Sequence, residues 1–403
     1  MTSRERIRAV LDGKEPDRVP MDCGGTEVTG LHGIAYNNLN AHLGIDEGAT
    51  RLFHVYMQLA SVEEPVRERF SGDVVRLSFG PKAWKPSVLS DGSPCEVPAG
   101  WNTMRQEDGS EVLPGPDGKP LIVRLPDAPW FSPAGPVCPQ IQTPNDISKY
   151  GPLLKMLDRS PWFDETLEEL AARAKRLYEE TDYALAGVFG GHIFAQAQII
   201  RGMEHFMCDL VADETLARAL MDILAESHME EFEHYIEALG PYLDVVCVAD
   251  DLGAQQGPQI DPGLFRSVVK PYMAKLYGFM KSRMKRAKLF LHSCGSVYEF
   301  IPDLIEMGVD ILNPLQVSAH NMDSAKLKRE FGKDIVFWGG GCDTQHVLPL
   351  GSLEDVREEV RRRIGDFAPG GGFVFTQVHN IQPGVPPENI VAMFDAAREF
   401  GGG

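Results

Sequence analysis

Short runs of aliphatic and β-branched residues recur along the chain, and each is followed by a polar or Gly-rich break and then by a longer helical pattern. Nearly continuous apolar character is typical of strands that are buried on both faces, as in parallel sheets. Eight runs therefore predict strands: Arg18–Cys23, Asp73–Leu77, Ala184–Phe189, Asp244–Asp250, Lys288–His292, Val309–Asn313, Ile335–Trp338 and Phe373–Thr376.

Amphipathic patterns with charged faces predict helices around these runs. Thr2 and Glu5 form a capping-box pattern that opens a first helix through Leu11. Eight strands alternating with helices favour a (β/α)8 TIM barrel, with residues 1–403 as one catalytic domain, over an open doubly wound sheet, which stays an alternative. Five further helices are predicted: Asp164–Glu180, Asp213–Leu239, Pro262–Arg286, Ser352–Arg363 and Pro387–Phe400.

Residues 82–125 interrupt the alternation because they are rich in Pro, Gly and Asp. Turn signals at Asp91-Gly92, Asp108-Gly109 and Asp117-Gly118 separate short pieces of alternating polarity. We expect a small antiparallel excursion inserted after the second strand. It would serve either as a lid over the barrel mouth or as a surface decoration.

Composition and charge narrow the class of protein. The 39 basic and 58 acidic residues give a formal net charge of −19, which argues against nucleic acid and anionic membranes as partners. The charged N-terminal segment differs from a signal peptide, and no apolar run approaches the roughly 20 residues that span a bilayer, so we expect a cytoplasmic protein. The seven cysteines are an odd number without dense spacing, which favours core residues, metal ligands or nucleophiles over disulfides.

The carboxyl ends of the strands carry the candidate chemistry, because barrel sites form where strands pass into loops. His292 and Cys294 end the fifth strand, and residues two apart on a strand share a face, so an imidazole and a thiolate can converge on one Zn²⁺ ion. Cys342 and His379, at the ends of the seventh and eighth strands, are candidates for further ligands. Three protein ligands would leave a position open for substrate. The alternative is a buried cysteine beside a histidine that bonds a backbone carbonyl.

Polar residues end the other strands as well. Asp250 and Asp251 are candidates for general acid–base catalysis, for orienting a ligating imidazole, or for capping the next helix. The glycines near these ends lack the spacing of phosphate-binding loops, and no G-x-S-x-G elbow is present. Four residues at strand ends are candidates for substrate binding: Cys23, His192, Asn313 and Gln377.

At these residues the chain resembles the uroporphyrinogen decarboxylase superfamily, over nearly its whole length. Four segments carry the resemblance: Arg4–Pro20, Asp250–Lys275, Leu291–Pro302 and Pro383–Ala392. It implies the (β/α)8 barrel and one of two chemistries. Decarboxylases of the family hold a substrate with four pyrrole rings through an Arg-rich loop after strand one. Here that loop reads DCGGTEVT, from Asp22 to Thr29, without an arginine.

The other branch consists of zinc-dependent methyltransferases that exchange methyl groups with corrinoid proteins and carry an H-x-C motif with a distant cysteine. His292 and Cys294 match the motif, His379 falls at the place of the distant cysteine, and Cys342 lies one strand earlier. With its HSCGS and GGGCDTQ segments, the chain is similar to methyltransferases that demethylate methoxylated compounds, aromatic ethers included. The resemblance implies Zn²⁺, cobalamin carried by a partner corrinoid protein, and a small-molecule methyl donor.

Several functions stay open at this point. Methyl transfer from a methoxylated donor to the cobalt of a corrinoid protein is favoured. The alternatives are decarboxylation of a porphyrinogen-like acid, transfer from a methyl-corrinoid to a thiol, and a barrel that binds a corrinoid without catalysis. The sequence leaves open the donor, the direction of transfer and the oligomeric state, for which a homodimer is one alternative.

Overall fold

A parallel sheet forms the centre of the molecule. The computed structural model describes residues 1–46, 48–115, 118–147, 149 and 162–402, and within them the sheet follows the order of the predicted strands from the second to the eighth. Every neighbouring pair in it is parallel, which confirms the predicted α/β architecture. The strands span Val74–Leu77, Ala184–Gly190, Val245–Ala249, Lys288–His292, Ile311–Asn313, Val336–Trp338 and Phe373–Val374.

The two edges of this sheet meet at Met21. The predicted first strand is reduced to this residue, which makes parallel bridges to Gly72 on one side and to Phe375 on the other. The backbone N–H of Asp73 donates to the Met21 carbonyl at 2.7 Å, and that of Asp22 donates to Phe375 at 2.9 Å. The sheet therefore curls back on itself, as in a TIM barrel.

Alternate residues of the strands fill the barrel interior, because successive side chains point to opposite faces. The first helix, Ser3–Leu11, closes the amino-terminal end by adding Ile7, Val10 and Leu11 to this interior cluster. Its predicted capping box, Thr2 with Glu5, is present. The strands contribute Val74, Ala184, Ala186, Val245, Cys247, Phe290, Ile311, Val336, Trp338 and Val374.

Helices surround the sheet and pack on its outer face. The predicted helix at Pro262–Arg286 is divided into an α-helical turn at Pro262–Leu264, a π-helix at Phe265–Val269 and an α-helix at Lys270–Arg283. No helix of the described residues is long and apolar enough to cross a membrane. The other helices span Gly33–Leu43, Glu64–Arg69, Leu167–Glu180, Phe194–Arg201, Met203–Ala212, Glu214–Leu239, Tyr298–Phe300 (3₁₀), Ile301–Glu306, Ser324–Phe331, Val347–Leu350, Leu353–Phe367 and Pro387–Phe400.

Short antiparallel strands lie between the second and third barrel strands. They pack around a core of their own, in which the rings of Trp101 and Trp162 meet edge to face with centroids 4.8 Å apart. Asp117, of the predicted Asp117-Gly118 turn, lies outside the described residues. The strands are Trp84–Val88, Pro94–Pro98, Met104–Arg105, Glu111–Pro114, Pro120–Arg124 and Ser132–Pro133; other short strands are Leu31–His32, Leu52–His54, Leu59–Ala60, Gly253–Ala254 and Gly257–Pro258.

Candidate metal centre

Three metal-ligating side chains converge at the carboxyl end of the barrel: His292, Cys294 and His379. One ligand atom from each lies within 4.8 Å of the other two, and no second group of this kind occurs among the described residues. The Cys294 sulfur is 3.2 Å from Nε2 of His292. The two imidazole ring centroids are 5.4 Å apart.

The orientation of His292 follows from strand pairing. Asn313 is its partner in the register between the fifth and sixth strands, and His292 Nδ1 lies 2.6 Å from the Asn313 side-chain oxygen. The amide nitrogen of Asn313 donates to the Trp338 carbonyl at 2.8 Å, which fixes the amide so that its oxygen accepts the Nδ1 proton. Nε2 of His292 is therefore the unprotonated nitrogen, and it faces Cys294.

The loop that carries Cys294 is held by the neighbouring loop after the fourth strand. The backbone N–H of Cys294 donates to the Asp251 carboxylate at 2.7 Å. Gly295 has a φ of +83°, and a Cβ there would lie 2.5 Å from the backbone of Gly253. Only glycine fits such a close approach of two backbones, so the residue after Cys294 locks the two loops together.

Burial controls the protonation of the three side chains. It lowers the pKa of His292, against the opposing effect of the Asp251 carboxylate. It also lowers the pKa of His379 to about 4, with the neighbouring His292 acting in the same direction. Burial raises the pKa of the Cys294 thiol well above its usual value, and Asp251 adds to this. Both imidazoles are therefore neutral at neutral pH, and a bound cation is what would convert the thiol to thiolate.

The donor set fits a zinc ion. Two imidazole nitrogens and one sulfur are ligands that Zn²⁺ takes in tetrahedral sites, where ligand atoms lie about 3.3–3.6 Å apart. The Cys294 sulfur and His292 Nε2, 3.2 Å apart, are close to that spacing, and all three ligand atoms lie within 4.8 Å of one another. Three protein ligands leave a coordination position open. The nearest carboxylate oxygen, Oδ1 of Asp251, is 3.9 Å from His292 Nε2.

A cavity of about 450 Å³ lies beside Asp251. Asp251 is part of its wall and also approaches two of the ligand residues, His292 at 3.9 Å and the backbone N–H of Cys294 at 2.7 Å. Gln259 adds another polar group to the wall. The side chains of Ile199 and Met203 give the wall an apolar part, and they are 48% and 57% exposed. The cavity is of a size that suits a small-molecule ligand.

Asp250 has a different place from its neighbour Asp251. It is buried, and its carboxylate accepts the backbone N–H groups of Ile193, Phe194 and Ala195 at 2.6–2.9 Å. N–H groups at the start of a helix have no partner within the helix, and the N-cap residue of the Phe194–Arg201 helix does not cap them. Asp250, which directly follows the neighbouring strand, supplies the missing acceptor. Of the roles considered for Asp250, the structure shows the helix-capping contact.

Cys342 lies away from the metal-ligating group. Gly339 and Gly340 both have positive φ angles and turn the chain after the seventh strand. The thiol is fully buried in the hydrophobic cluster between strands and outer helices, and Glu359 of the Leu353–Phe367 helix is among the charges that act on it. Its side chain therefore packs toward the helical layer, which separates it from His292 and His379.

The other residues predicted at strand ends, Cys23, Gln377 and His192, make structural contacts around the metal centre. Cys23 is buried in the core, and burial raises the pKa of its thiol to about 12, so the thiol stays protonated. The Gln377 amide donates to the Thr29 carbonyl at 2.9 Å and ties the last strand to the loop after Met21. His192 is half-buried, and its backbone carbonyl lies 2.8 Å from a ring nitrogen of His228.

Two side chains that line cavities were not predicted from the sequence as site residues. Gln259 lines the cavity beside Asp251, and Arg76 lines a second cavity near the end of the second strand. Gln259 follows a short hairpin that no hydrophobic period indicates. Arg76 interrupts the apolar run DVVRL, and that interruption was the one available signal.

Comparison with known proteins agrees with this architecture. The model of the family described as "Uroporphyrinogen decarboxylase (URO-D)" matches residues 130–400. A uroporphyrinogen decarboxylase from Thioalkalivibrio sulfidiphilus is 42% identical over 176 residues, which cover 41% of this chain and 46% of that protein. One from Alkalilimnicola ehrlichii is 46% identical over 49 residues, 12% of this chain and 13% of that protein. The chain thus matches less than half the length of these relatives.

A solved structure shares the fold over the full length. It is a methyltransferase from Methanosarcina mazei, with a TM-score of 0.62, 20% sequence identity and coverage of 99% of both chains. At that identity the likeness concerns the fold. The family model covers more than half of the sequence, including every strand from the third to the eighth and all three metal-ligating residues. The chain belongs to the uroporphyrinogen decarboxylase family.

Proposed function

We propose that this protein is a zinc-dependent methyltransferase that moves a methyl group from a methoxylated small molecule, aromatic ethers included, to the cobalt of a corrinoid carried by a separate protein. The observation that carries the proposal is the convergence of His292, Cys294 and His379. One thiol and two imidazoles, of which His292 is buried and the other two groups are half-buried, are a donor set that a catalytic zinc site uses, with a fourth position left for substrate.

Each residue of the centre has a defined task in this proposal. His292, Cys294 and His379 would hold the zinc, and Asn313 keeps Nε2 of His292 directed at it. When bound, zinc acts as a Lewis acid on the donor oxygen and stabilises the charge that develops there by several kcal/mol. An ether carbon is a poor electrophile without such help, because its leaving group is basic.

Asp251 links the centre to solvent. Its side chain is 46% exposed, lines the cavity and holds the Cys294 loop through one carboxylate oxygen. The alcohol or phenol product needs a proton once the methyl group has left its oxygen. We assign to Asp251 the relay of that proton from solvent, in addition to its positioning of Cys294.

The cavity beside Asp251 would hold the methyl donor. A corrinoid is too large to be buried in about 450 Å³, so it would approach from outside, on the partner protein. The exposed apolar side chains of Ile199 and Met203 at the cavity wall favour contact with an apolar surface of that partner.

Decarboxylation of a porphyrinogen-like acid is the second candidate, because both named relatives are uroporphyrinogen decarboxylases. The loop from Asp22 to Thr29 has no arginine for the substrate carboxylates. The thiol of Cys294 also has no task in that reaction. These two features favour methyl transfer.

The test combines metal analysis with a pair of cysteine variants. We expect stoichiometric zinc in the purified protein, its loss in Cys294→Ser, and its retention in the matched control Cys342→Ser, whose thiol packs away from the centre. With a reduced corrinoid protein and a panel of methoxylated donors, the cobalt spectrum should report methylation, and Cys294→Ser should lower the rate by about a thousandfold or more.

Two results would overturn the proposal: demethylation by zinc-free protein, or zinc loss in Cys342→Ser while Cys294→Ser keeps its metal. Release of carbon dioxide from uroporphyrinogen without methyl transfer would establish the second candidate. Methylation of a thiol from methyl-cobalamin, with no reaction of any ether, would reverse the assigned direction.

A further inference from the structure

A second cavity, of about 470 Å³, lies near the end of the second barrel strand. None of the residues that line it belongs to the metal centre or to the cavity beside Asp251. Its wall combines aromatic rings with three positively charged side chains and with the carboxylates of Glu165 and Glu169. The residues used below are Phe53, Arg76, Lys82, Trp84, Phe163 and Arg173.

Arg76 is the unusual member of this wall. It stands two residues after Val74, which packs in the barrel interior, so the two side chains leave the strand on the same face. The guanidinium carbon is 3.4 Å from the ring centroid of Phe53. Among the described residues, the Ser78 hydroxyl is its one hydrogen-bond partner, and no carboxylate forms an ion pair with it.

The other charges of the cavity are already neutralised. Lys82 pairs with Glu169 at 2.9 Å, and Arg173 pairs with Glu165 at 2.7 Å. Arg76 is thus the cation of the lining that forms no direct ion pair among the described residues, although the Glu27 carboxylate acts on it from a greater distance and raises its pKa. The lining holds three cations and two carboxylates, which leaves one positive charge in excess. Burial lowers the pKa of Arg76 to about 10, so it is still a cation at neutral pH.

The Arg76 side chain is half-buried, and a partly desolvated cation without a direct ion pair gains free energy from a ligand that brings an anion. A guanidinium presents parallel N–H donors that match the two oxygens of a carboxylate. Trp84 and Phe163 add flat apolar surface to the same wall, which suits an aromatic ring.

We propose that the Arg76 cavity is a binding site for a small aromatic carboxylate, with the carboxylate on Arg76 and the ring against Trp84 and Phe163. The site needs neither the metal nor a methyl group on the ligand. Its existence is therefore independent of the function proposed above, and it can be tested on the full chain with or without zinc.

The test is calorimetric titration with benzoate and with benzamide, its neutral counterpart of the same shape. We expect benzoate to bind about tenfold or more tightly than benzamide, since a charge-assisted pair contributes about 1.5–3 kcal/mol. Arg76→Met should weaken benzoate by about the same factor and leave benzamide within about twofold, and Arg76→Lys should be intermediate. The matched control, the double variant Lys82→Met with Glu169→Gln, removes an ion pair and keeps the net charge of the cavity, so the affinity for benzoate should change by about twofold or less.

Equal affinity for benzoate and benzamide, no benzoate binding, or unchanged benzoate affinity in Arg76→Met would each overturn the proposal. Acetate that binds as tightly as benzoate would overturn its aromatic part. Thermal unfolding of each variant establishes whether it is folded. If Arg76→Met does not fold, Arg76→Lys still tests the proposal.

Discussion

Both ends of the barrel bury charged or ligating side chains, but the two ends satisfy them in opposite ways. At the amino-terminal end, Asp73 is fully buried and accepts hydrogen bonds from Arg6 and Arg18 at 2.7–2.9 Å. Asp244, also buried, accepts one from Arg8 at 2.7 Å. Every one of these carboxylates has its counter-charge inside the protein.

At the carboxyl-terminal end the complementary partners are missing from the chain. His292, Cys294 and His379 bring three ligand atoms together. Arg76 lines a cavity whose two carboxylates, Glu165 and Glu169, pair with other cations, so that Arg76 forms no ion pair among the described residues. Charged groups that pair within the protein stabilise the fold. Ligating or charged groups that have no partner within the protein can instead bind a ligand. This is the division between the two faces that barrel enzymes show.

The largest effect is expected at the amino-terminal end. Asp73→Ala leaves Arg6 and Arg18 without their buried partner, and we expect the free energy of unfolding to fall by about 3–5 kcal/mol, while zinc binding is unchanged. Urea unfolding and metal analysis measure the two. As a control, Asp17→Ala removes a carboxylate that also pairs with Arg6 but is 41% exposed, and should cost about 1 kcal/mol or less. Loss of zinc from folded Asp73→Ala would break the comparison.

Asp22 differs from Asp73 and Asp244, because it is a buried carboxylate with which no lysine or arginine of the described residues forms an ion pair. It accepts hydrogen bonds from the Trp338 indole at 2.8 Å and from the Gly25 backbone at 2.6 Å. Burial raises the pKa of Asp22 to about 6. Its proton is therefore bound more tightly in the folded state, so its stabilising contribution is complete below about pH 4 and is lost as the pH rises through 6.

The matching variant is Asp22→Asn, which cannot ionise. Between pH 4 and 7 the stability of the wild type should fall relative to that of the variant by up to about 3 kcal/mol, the equivalent of the shift in the pKa of Asp22. Urea unfolding of both proteins at the two pH values measures this difference. A difference in stability that does not change with pH would contradict the assignment.

A smaller effect is expected at Asn313, which touches His292 and would not touch the metal. Asn313→Ala removes the acceptor that fixes the imidazole, and we expect zinc affinity to fall by about 10- to 100-fold. Competition with a chelating dye measures the affinity. Asn313→Asp, which keeps an oxygen for Nδ1, should restore most of it. Equal affinity in all three proteins would mean that the ring orientation is set elsewhere.

The fold was largely readable from local patterns. The predicted strand at Lys288–His292 has the same bounds in the structure, and that at Ala184–Phe189 is one residue longer. Continuous apolar runs are distinctive because strands of a covered parallel sheet are buried on both faces. The first strand was overestimated: Arg18–Cys23 forms a bridge at Met21, since pairing there depends on both sheet edges.

The sequence by itself indicated the pair His292 and Cys294, because both stand where a predicted strand passes into its loop. The strand ends at His292, so Cys294 reaches the same point from the loop and not from a shared strand face. The sequence left open whether His379 or Cys342 completes the ligand set, and the tertiary structure brings His379 into the group. The glycine turn after the seventh strand directs Cys342 into the core, whereas His379 meets His292 across the barrel. Which distant side chains meet is decided by backbone turns and packing, and neither is visible in the spacing of residues along the chain.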